Sequence, residues 1–328
     1  MRHVLTSAVG LVMALVVLVG LTPAAPAQGV IKVGILPLIS YAPIFVAIEK
    51  GFFKEEGLEV ELIRFASGAK MMAPLATGEI QVASGSASAG LFNSIAKGAD
   101  FRIVADKGQI RPGYGFVQLI VRKDLLDSGA VKSVKDLEGR TLANHARGII
   151  NDYILYAIAK ERGLDRSKLN VVYMEPPKIY AALKSKAIDA ALTVEPWTVR
   201  AEMEGLAVRY IYADQLALVR EMQIAEIFYS GKFIREQEAA ARKFMKVYLR
   251  GIRYFNERGM KNDEIVTIIE KYTKVPRNMI SASTPFYLDN DGKVLVESIE
   301  KLQDFFYEER LVKQKLPMDK VVDLRFLK

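Results

Sequence analysis

Cysteine is absent from the 328 residues, and that absence alone removes thiol nucleophiles, iron–sulfur clusters, thiolate zinc sites and disulfide staples. Histidine is almost absent: only His3 and His145 occur. His3 falls in a segment expected to be removed. A Ser-His-Asp catalyst would therefore have to be built around His145, and a histidine-rich metal site cannot be built at all. Tryptophan occurs once, at Trp197. Clustered positive charge is missing too. The formal charge of +8 is spread along amphipathic helices, without a run of five or six basic residues or aromatic–basic interleaving. It reads as a solvated basic surface, not a nucleic-acid face. No metal and no cofactor is expected.

What is present is an ordinary globular composition, 51% apolar and 26% charged, in a chain long enough for two domains with real cores. The N-terminus has Arg2 and His3, an apolar run from Val4 to Leu21, and Ala25-Pro26-Ala27. Basic start, apolar middle and small-x-small end describe a secretory signal peptide over residues 1–27, cleaved near Ala27. The alternative is a retained membrane anchor, since the run approaches the roughly 20 residues that span a bilayer. No lipobox cysteine is available for lipidation. The mature protein is expected to be soluble, exported and free of disulfides.

The stretch Ile31–Ile63 reads as strand, loop, helix, strand. Ile31, Val33 and Ile35 begin an apolar run suited to a buried parallel strand. Pro37 stops it, and Pro43 sits near the first turn of a helix, where its missing N–H is harmless. Ile44, Ala47, Ile48 and Gly51 give that helix one buried stripe, and Gly57 turns the chain into an alternating strand. Helix over 69–77, strand 80–84, helix 87–97 and strand 101–105 follow, so the pattern predicts a parallel sheet. The turn-rich Gln109–Gly115 breaks the alternation, as a crossing between domains would.

A second block runs from a strand at 117–121 through strands at 141–143, 170–173, 187–192 and 208–211, with helices at 149–162, 179–184 and 196–204. Ala73–Ala83 and Ala181–Ala191 share apolar pattern and turn placement, which predicts two similar lobes. The pattern blurs over 213–222, and the remainder reads as mostly helical. In its long helix Phe244, Val247, Tyr248, Gly251, Ile252 and Phe255 form the buried stripe, and Arg242, Lys243, Lys246 and Arg250 a solvated face.

The strand-to-helix loops carry the chemistry. Ser84–Gly90 is a small-residue loop, but no Lys-Ser/Thr follows Gly90 and Gly85 has no glycine two residues on. It is neither a P-loop nor a dinucleotide fingerprint. Its serines, Ser86 and Ser88, either meet a polar ligand at a helix start or simply cap the helix. In the second block His145 and Arg147 hold the equivalent place, suited to an anionic group or else to a helix-start ion pair with Asp152. Glu175 and Glu195 each precede proline at a helix start, where a carboxylate is commonly a dipole partner. Trp197 beside Glu195 is either core or a ligand platform. Read as a paired-carboxylate hydrolase, Glu175 and Glu195 lack any supporting nucleophile or metal motif.

Taken in order, Tyr41-Ala42-Pro43, Glu49–Val60 (EKGFFKEEGLEV), Leu75–Ile80 (LATGEI), Val134–Gly139 (VKDLEG), Ile188-Asp189-Ala190 and Glu195-Pro196 resemble the periplasmic substrate-binding proteins of ABC transporters. The nearest branch is the nitrate/sulfonate/taurine type, which includes binders of thiamine-pyrimidine precursors. The resemblance spans nearly the whole mature chain. It implies an α/β fold of type II: two similar α/β lobes, joined by two crossings, with a ligand cleft between them. Lobe I would comprise 28–116 and the helical 223–328, and lobe II 117–222.

The resemblance also places Ser40, Tyr41, Ser67, Ser86 and Ser88 in the cleft from lobe I, and His145, Arg147, Glu175, Glu195 and Trp197 from lobe II. It implies a periplasmic, monomeric, non-enzymatic protein that delivers a small polar solute to an ABC permease by hinge closure, with no nucleic-acid partner. Arg147 or the helix starts would hold an anionic group, a carboxylate an amine or ring N–H, and Tyr41 and Trp197 apolar atoms. Two glutamates beside the ligand disfavour nitrate or a bare alkyl sulfonate and favour a zwitterion or heterocycle. The alternative is a periplasmic hydrolase or an enzyme like the pyrimidine synthases of the same superfamily, whose Cys and His clusters have no counterpart here.

Overall fold

The computed structural model describes residues 29–65 and 67–328, so the leader expected over 1–27 lies outside the described residues. Lobe I opens with β1 (Ile31–Ile35), α1 (Ala42–Glu49), α2 (Phe52–Glu55), β2 (Val60–Arg64), α3 (Ala69–Thr77), β3 (Val82–Gly85), α4 (Ala89–Ala96) and β4 (Phe101–Ile110). Lobe II is β5 (Val117–Arg122), α5 (Lys123–Asp127), β6 (Thr141–Asn144), α6 (Ile150–Arg162), β7 (Asn170–Tyr173), α7 (Pro176–Lys184), β8 (Ala190–Val194), α8 (Trp197–Met203) and β9 (Ala207–Tyr212). The chain then returns to lobe I as β10 (Met222–Ser230), α9 (Gly231–Glu236), α10 (Glu238–Arg258), α11 (Asp263–Thr273), α12 (Arg277–Ala282) and α13 (Val296–Glu308).

Each lobe is built on a five-stranded sheet, ordered β2-β1-β3-β10-β4 in lobe I and β7-β6-β8-β5-β9 in lobe II. The fourth strand of each is antiparallel to both neighbours, so the sheets are mixed, not the parallel ones that strand–helix alternation predicts. The reason is topological: β5 and β10 are the strands that arrive from the other lobe, and each inserts beside the third strand instead of extending the edge. The expectation of a mostly helical remainder misses β10, a central strand of the first sheet.

The two crossings run side by side. Gly113 N–H donates to Asp214 Oδ2 at 2.9 Å, tying the outward crossing to the return one. The internal repeat has a structural meaning, because Ala73–Ala83 and Ala181–Ala191 span α3–β3 and α7–β8, which occupy equivalent places in the two sheets. Gln81 Oε1 accepts from Lys32 N at 2.9 Å in one lobe, and Asp189 Oδ2 accepts from Thr141 N at 2.9 Å in the other. Gly78 and Lys186, aligned in the repeat, both adopt positive φ, 76° and 59°.

Helix α1 departs from the single-stripe expectation: Ala42 through Ala47 are all buried. Helices α10 and α11 pack against it, and Phe45 stacks on Tyr272 with centroids 4.5 Å apart. The α10 stripe from Phe244 to Phe255 is buried as its spacing predicts. A Cβ at Gly251 would run into the Pro43 carbonyl, which is why α1 and α10 approach closely there. Arg242, Lys246 and Arg250 point outward to Glu238, Glu56 and Glu55, exposed pairs that contribute little to stability. Among the described residues no helix is long and apolar enough to cross a membrane.

Candidate functional site

The carboxyl ends of the parallel strands in both sheets face one another, and that edge is where open α/β sheets place ligands. Besides the packing of α6 on α13, where Tyr153 meets Phe305 with centroids 5.0 Å apart, two seams join the lobes. At the first, Ala89 N–H at the start of α4 donates to Gly148 O before α6, at 2.8 Å. Gly148 has φ of 76°, and a Cβ on it would lie 2.8 Å from the Ala89 methyl, so this approach admits only glycine. At the second, Thr284 of lobe I donates its N–H to Glu195 Oε1 at 2.9 Å, and its hydroxyl accepts from Gln118 at 2.7 Å and Arg209 at 3.2 Å. Beside this seam is an inter-lobe cavity of about 20 Å³ lined by Ser40, Phe116, Val194, Glu195, Thr284 and Phe286, the size of a single water.

Several of the residues expected at the cleft lie on these seams, in roles set by their hydrogen bonds. Ser88 caps α4, its hydroxyl accepting from Leu91 N at 3.1 Å, and half-buried Ser86 precedes it. Ser40 Oγ accepts from Lys107 Nζ at 2.8 Å. Tyr41 is buried. Its hydroxyl meets Ser84 Oγ at 2.6 Å, and burial pushes its pKa up to about 12. Half-buried His145 meets Thr193 Oγ1 through Nε2 at 2.7 Å. Burial pushes its pKa down to about 4, so at neutral pH it offers a hydrogen bond and not a positive charge. Asp152 accepts from Asn144 Nδ2 at 2.8 Å and Gly148 N at 2.6 Å, while Arg147 stands exposed.

Glu195 is not available as a ligand carboxylate. It is buried, with Gln118, Arg209 and Thr284 on one oxygen and Val199 N–H on the other at 3.1 Å. Glu175 is exposed, and Trp197 lies with Tyr180 and the Arg200 guanidinium at 6.4 and 5.9 Å. The expectation that these two glutamates disfavour an anionic solute therefore loses its footing, since one is neutralised by Arg209 and the other is solvated. Ser67 is half-buried on the β2–α3 loop, its carbonyl accepting from Lys70 N.

Residues that loop chemistry missed lie in the strands below. Lys107 and Glu226, on β4 and β10, are buried. Glu226 pairs in register with Gly85, the last residue of β3, and its Oε2 accepts from Ala87 N at 2.8 Å. Burial pushes the Glu226 pKa up to about 8 and that of Lys107 down to about 7. The signal in the sequence is a charge inside an apolar strand run, FRIVADKGQI and MQIAEIFYS. Among the described residues no group of three His, Asp or Glu side chains is arranged to hold a metal ion.

Residues 39–259 match the model of the family described as NMT1/THI5 like. The chain belongs to this family. A Brachyspira hyodysenteriae protein described as an ABC transporter periplasmic binding protein is 30% identical over 54% of this chain and 52% of its own length. A Synechocystis protein described as a bicarbonate transport ATP-binding protein is 28% identical over 53% of this chain and 28% of its own. The matches thus span about half, or less, of these relatives.

Among solved structures, the alkanesulfonate-binding protein SsuA of Xanthomonas axonopodis superposes with a TM-score of 0.72 at 18% identity, covering 92% of this chain and 99% of that one. The nitrate-binding protein NrtA of Synechocystis gives 0.75 at 16%, covering 92% and 88%. The ligand-binding component of an ABC-type import system from Staphylococcus aureus gives 0.77 at 17%, covering 92% and 98%. At these identities the likeness establishes the two-lobed binding-protein fold.

Proposed function

We propose that this NMT1/THI5-like protein is the solute-binding component of an ABC import system. It captures a small polar organic solute outside the cytoplasmic membrane and delivers it to the permease subunits. The observation that carries the reading is the pair of seams at the facing sheet edges, Ala89 to Gly148 and Thr284 to Glu195, across lobes joined by two paired crossings. The first seam is a single hydrogen bond and the second a few, and both can part, so rotation about the crossings would open the edge, admit a solute and close over it. The side chains at the seams are held in fixed pairs such as His145–Thr193 and Glu195–Arg209, which favours holding a solute over turning one over.

The names of the relatives and of the superposed structures support the same reading, including a periplasmic location for the chain. The test is a thermal-shift screen of the purified protein over sulfonates, nitrate, bicarbonate, amino acids, amines and nitrogen heterocycles. A true solute at 100 times its Kd adds about 2.7 kcal/mol to stability. No shift with any class, or chemical conversion of a bound solute, would defeat the proposal.

A further inference from the structure

Building on that reading, we propose that Glu226 and Lys107 form the floor of the solute site, and that the solute brings a protonated nitrogen, of amine or amidine type, to Glu226. The floor lies directly under both seams. Glu226 stands opposite the end of β3, and its Oε2 is held by Ala87 N–H, two residues before the Ala89 amide that reaches Gly148. Lys107 reaches up to Ser40, which lines the inter-lobe cavity beside Glu195, and its ammonium rests 3.9 Å from the Tyr41 ring centroid.

Two features of this floor point to a positively charged N–H donor. The first is an unmatched acceptor. With Oε2 fixed by Ala87, Glu226 Oε1 is buried without a hydrogen-bond partner among the described residues, and an unmatched buried acceptor is costly unless something arrives to donate to it. The second is the charge count. The buried groups that act on one another here are Asp106, Glu226 and Lys107, two carboxylates against one ammonium. Asp289 adds a further acid beside Asp106, and the neighbouring Tyr41 and Tyr248 hydroxyls stay protonated.

A buried cluster with one surplus negative charge is balanced either by a proton or by a cation. Without solute Glu226 keeps a proton, as its raised pKa reflects; a solute cation takes the proton's place. Nitrate, bicarbonate and alkanesulfonates bring no positive charge, so with them Glu226 would have to keep its proton.

The test is calorimetry and thermal shift on the purified wild type and Glu226→Gln, with primary amines, amidines and amino acids set against nitrate, bicarbonate and methanesulfonate. The expected result is that nitrogen bases bind the wild type and that Glu226→Gln weakens them at least tenfold. Wild-type binding at pH 7, run in buffers of different ionisation enthalpy, should release protons, fewer than one per solute because Lys107 beside Glu226 takes part of the charge up. The variant should release none. Circular dichroism and the melting temperature of the solute-free variant check that it is folded; should it not fold, proton release by the wild type decides alone. The inference falls, and the transport reading survives, if a simple anion binds while nitrogen bases do not, or if Glu226→Gln keeps wild-type affinity. Both fall if no class binds.

Discussion

The two lobes are the same drawing executed in different materials. Strand order, the antiparallel fourth strand and the side-chain latch from Gln81 or Asp189 to the neighbouring strand are shared. The facing edges differ. In lobe II Glu195 is held by Arg209 and three other donors, Asp152 by Asn144 and Gly148, and His145 by Thr193, while Gln118 Oε1, Thr198 Oγ1 and Arg209 Nε are buried without a partner among the described residues and Arg147 and Glu175 face solvent. In lobe I the edge conceals Glu226 with one oxygen unmatched and Lys107 with its hydrogen bond to Ser40. What sets lobe I apart is that its unmatched atom is a carboxyl oxygen, costlier to leave without a donor than a neutral amide or hydroxyl oxygen. On the proposed reading, lobe II gives shape and closure and lobe I chemical discrimination.

Breaking the lobe II network gives the largest expected effect. Glu195→Ala strands the Thr284 and Val199 amides and leaves Arg209 under-neutralised in a half-buried place, so unfolding in urea should show a loss of about 3 kcal/mol. A loss below about 1 kcal/mol would mean that the network is not what holds this edge.

The next effect sharpens the contrast from the lobe I side. Glu226 is pushed from 4.5 up to about 8 in the folded chain. Its stabilising protonation is therefore full below about pH 4.5 and is lost as the pH rises through 8. His145, pushed down from 6.5 to about 4, acts in the opposite sense. Comparing the wild type with Glu226→Gln cancels His145 and, to first order, Asp106, but not Lys107, whose charged form the ionised Glu226 favours. The difference in stability should move in favour of the variant between pH 5 and 8, by up to about 1.4 kcal/mol per pH unit. A difference independent of pH would show that Glu226 is already ionised without solute.

The smallest effect tests the repeat itself. Lys186 occupies in lobe II the left-handed turn that Gly78 occupies in lobe I, with φ of 59°. Lys186→Gly should raise stability by about 1 kcal/mol, because the strain of a side chain there outweighs its exposed pair with Asp124. An unchanged or lower melting temperature would mean that the Lys186–Asp124 contact is the stronger term.

Much of this was legible from residue order. Pro43 at a helix start, the apolar spacing of the α10 stripe and the Gly57 turn each obey a local rule, and the structure follows them. The Ala73–Ala83 and Ala181–Ala191 match marked equivalent elements because turn geometry repeats wherever a helix must return to a sheet. Residue order failed where the cause is not local. Strand β10 carries Gln223 and Glu226 in an otherwise apolar run, a pattern that denies a buried strand until its neighbours are known. Helix α1 looked one-sided because α10 and α11, its outer cover, lie some 200 residues downstream. The loops drew attention to serines and glutamates at helix starts, and several of these serve the scaffold. Lys107 and Glu226 escaped notice because loops, not strand interiors, usually carry function.

The insertion of β10 between β3 and β4 also sets an order of assembly. Lobe II is one uninterrupted stretch whose strands can find each other as soon as they are made. Lobe I cannot finish its sheet until the chain has gone out and come back, and Ala87 meets Glu226 across 139 residues. During synthesis or export the second lobe is thus ready first, while the first waits with an open gap between β3 and β4. In that interval the groups destined for the floor have no floor to occupy, so solute recognition would be the last property this chain acquires.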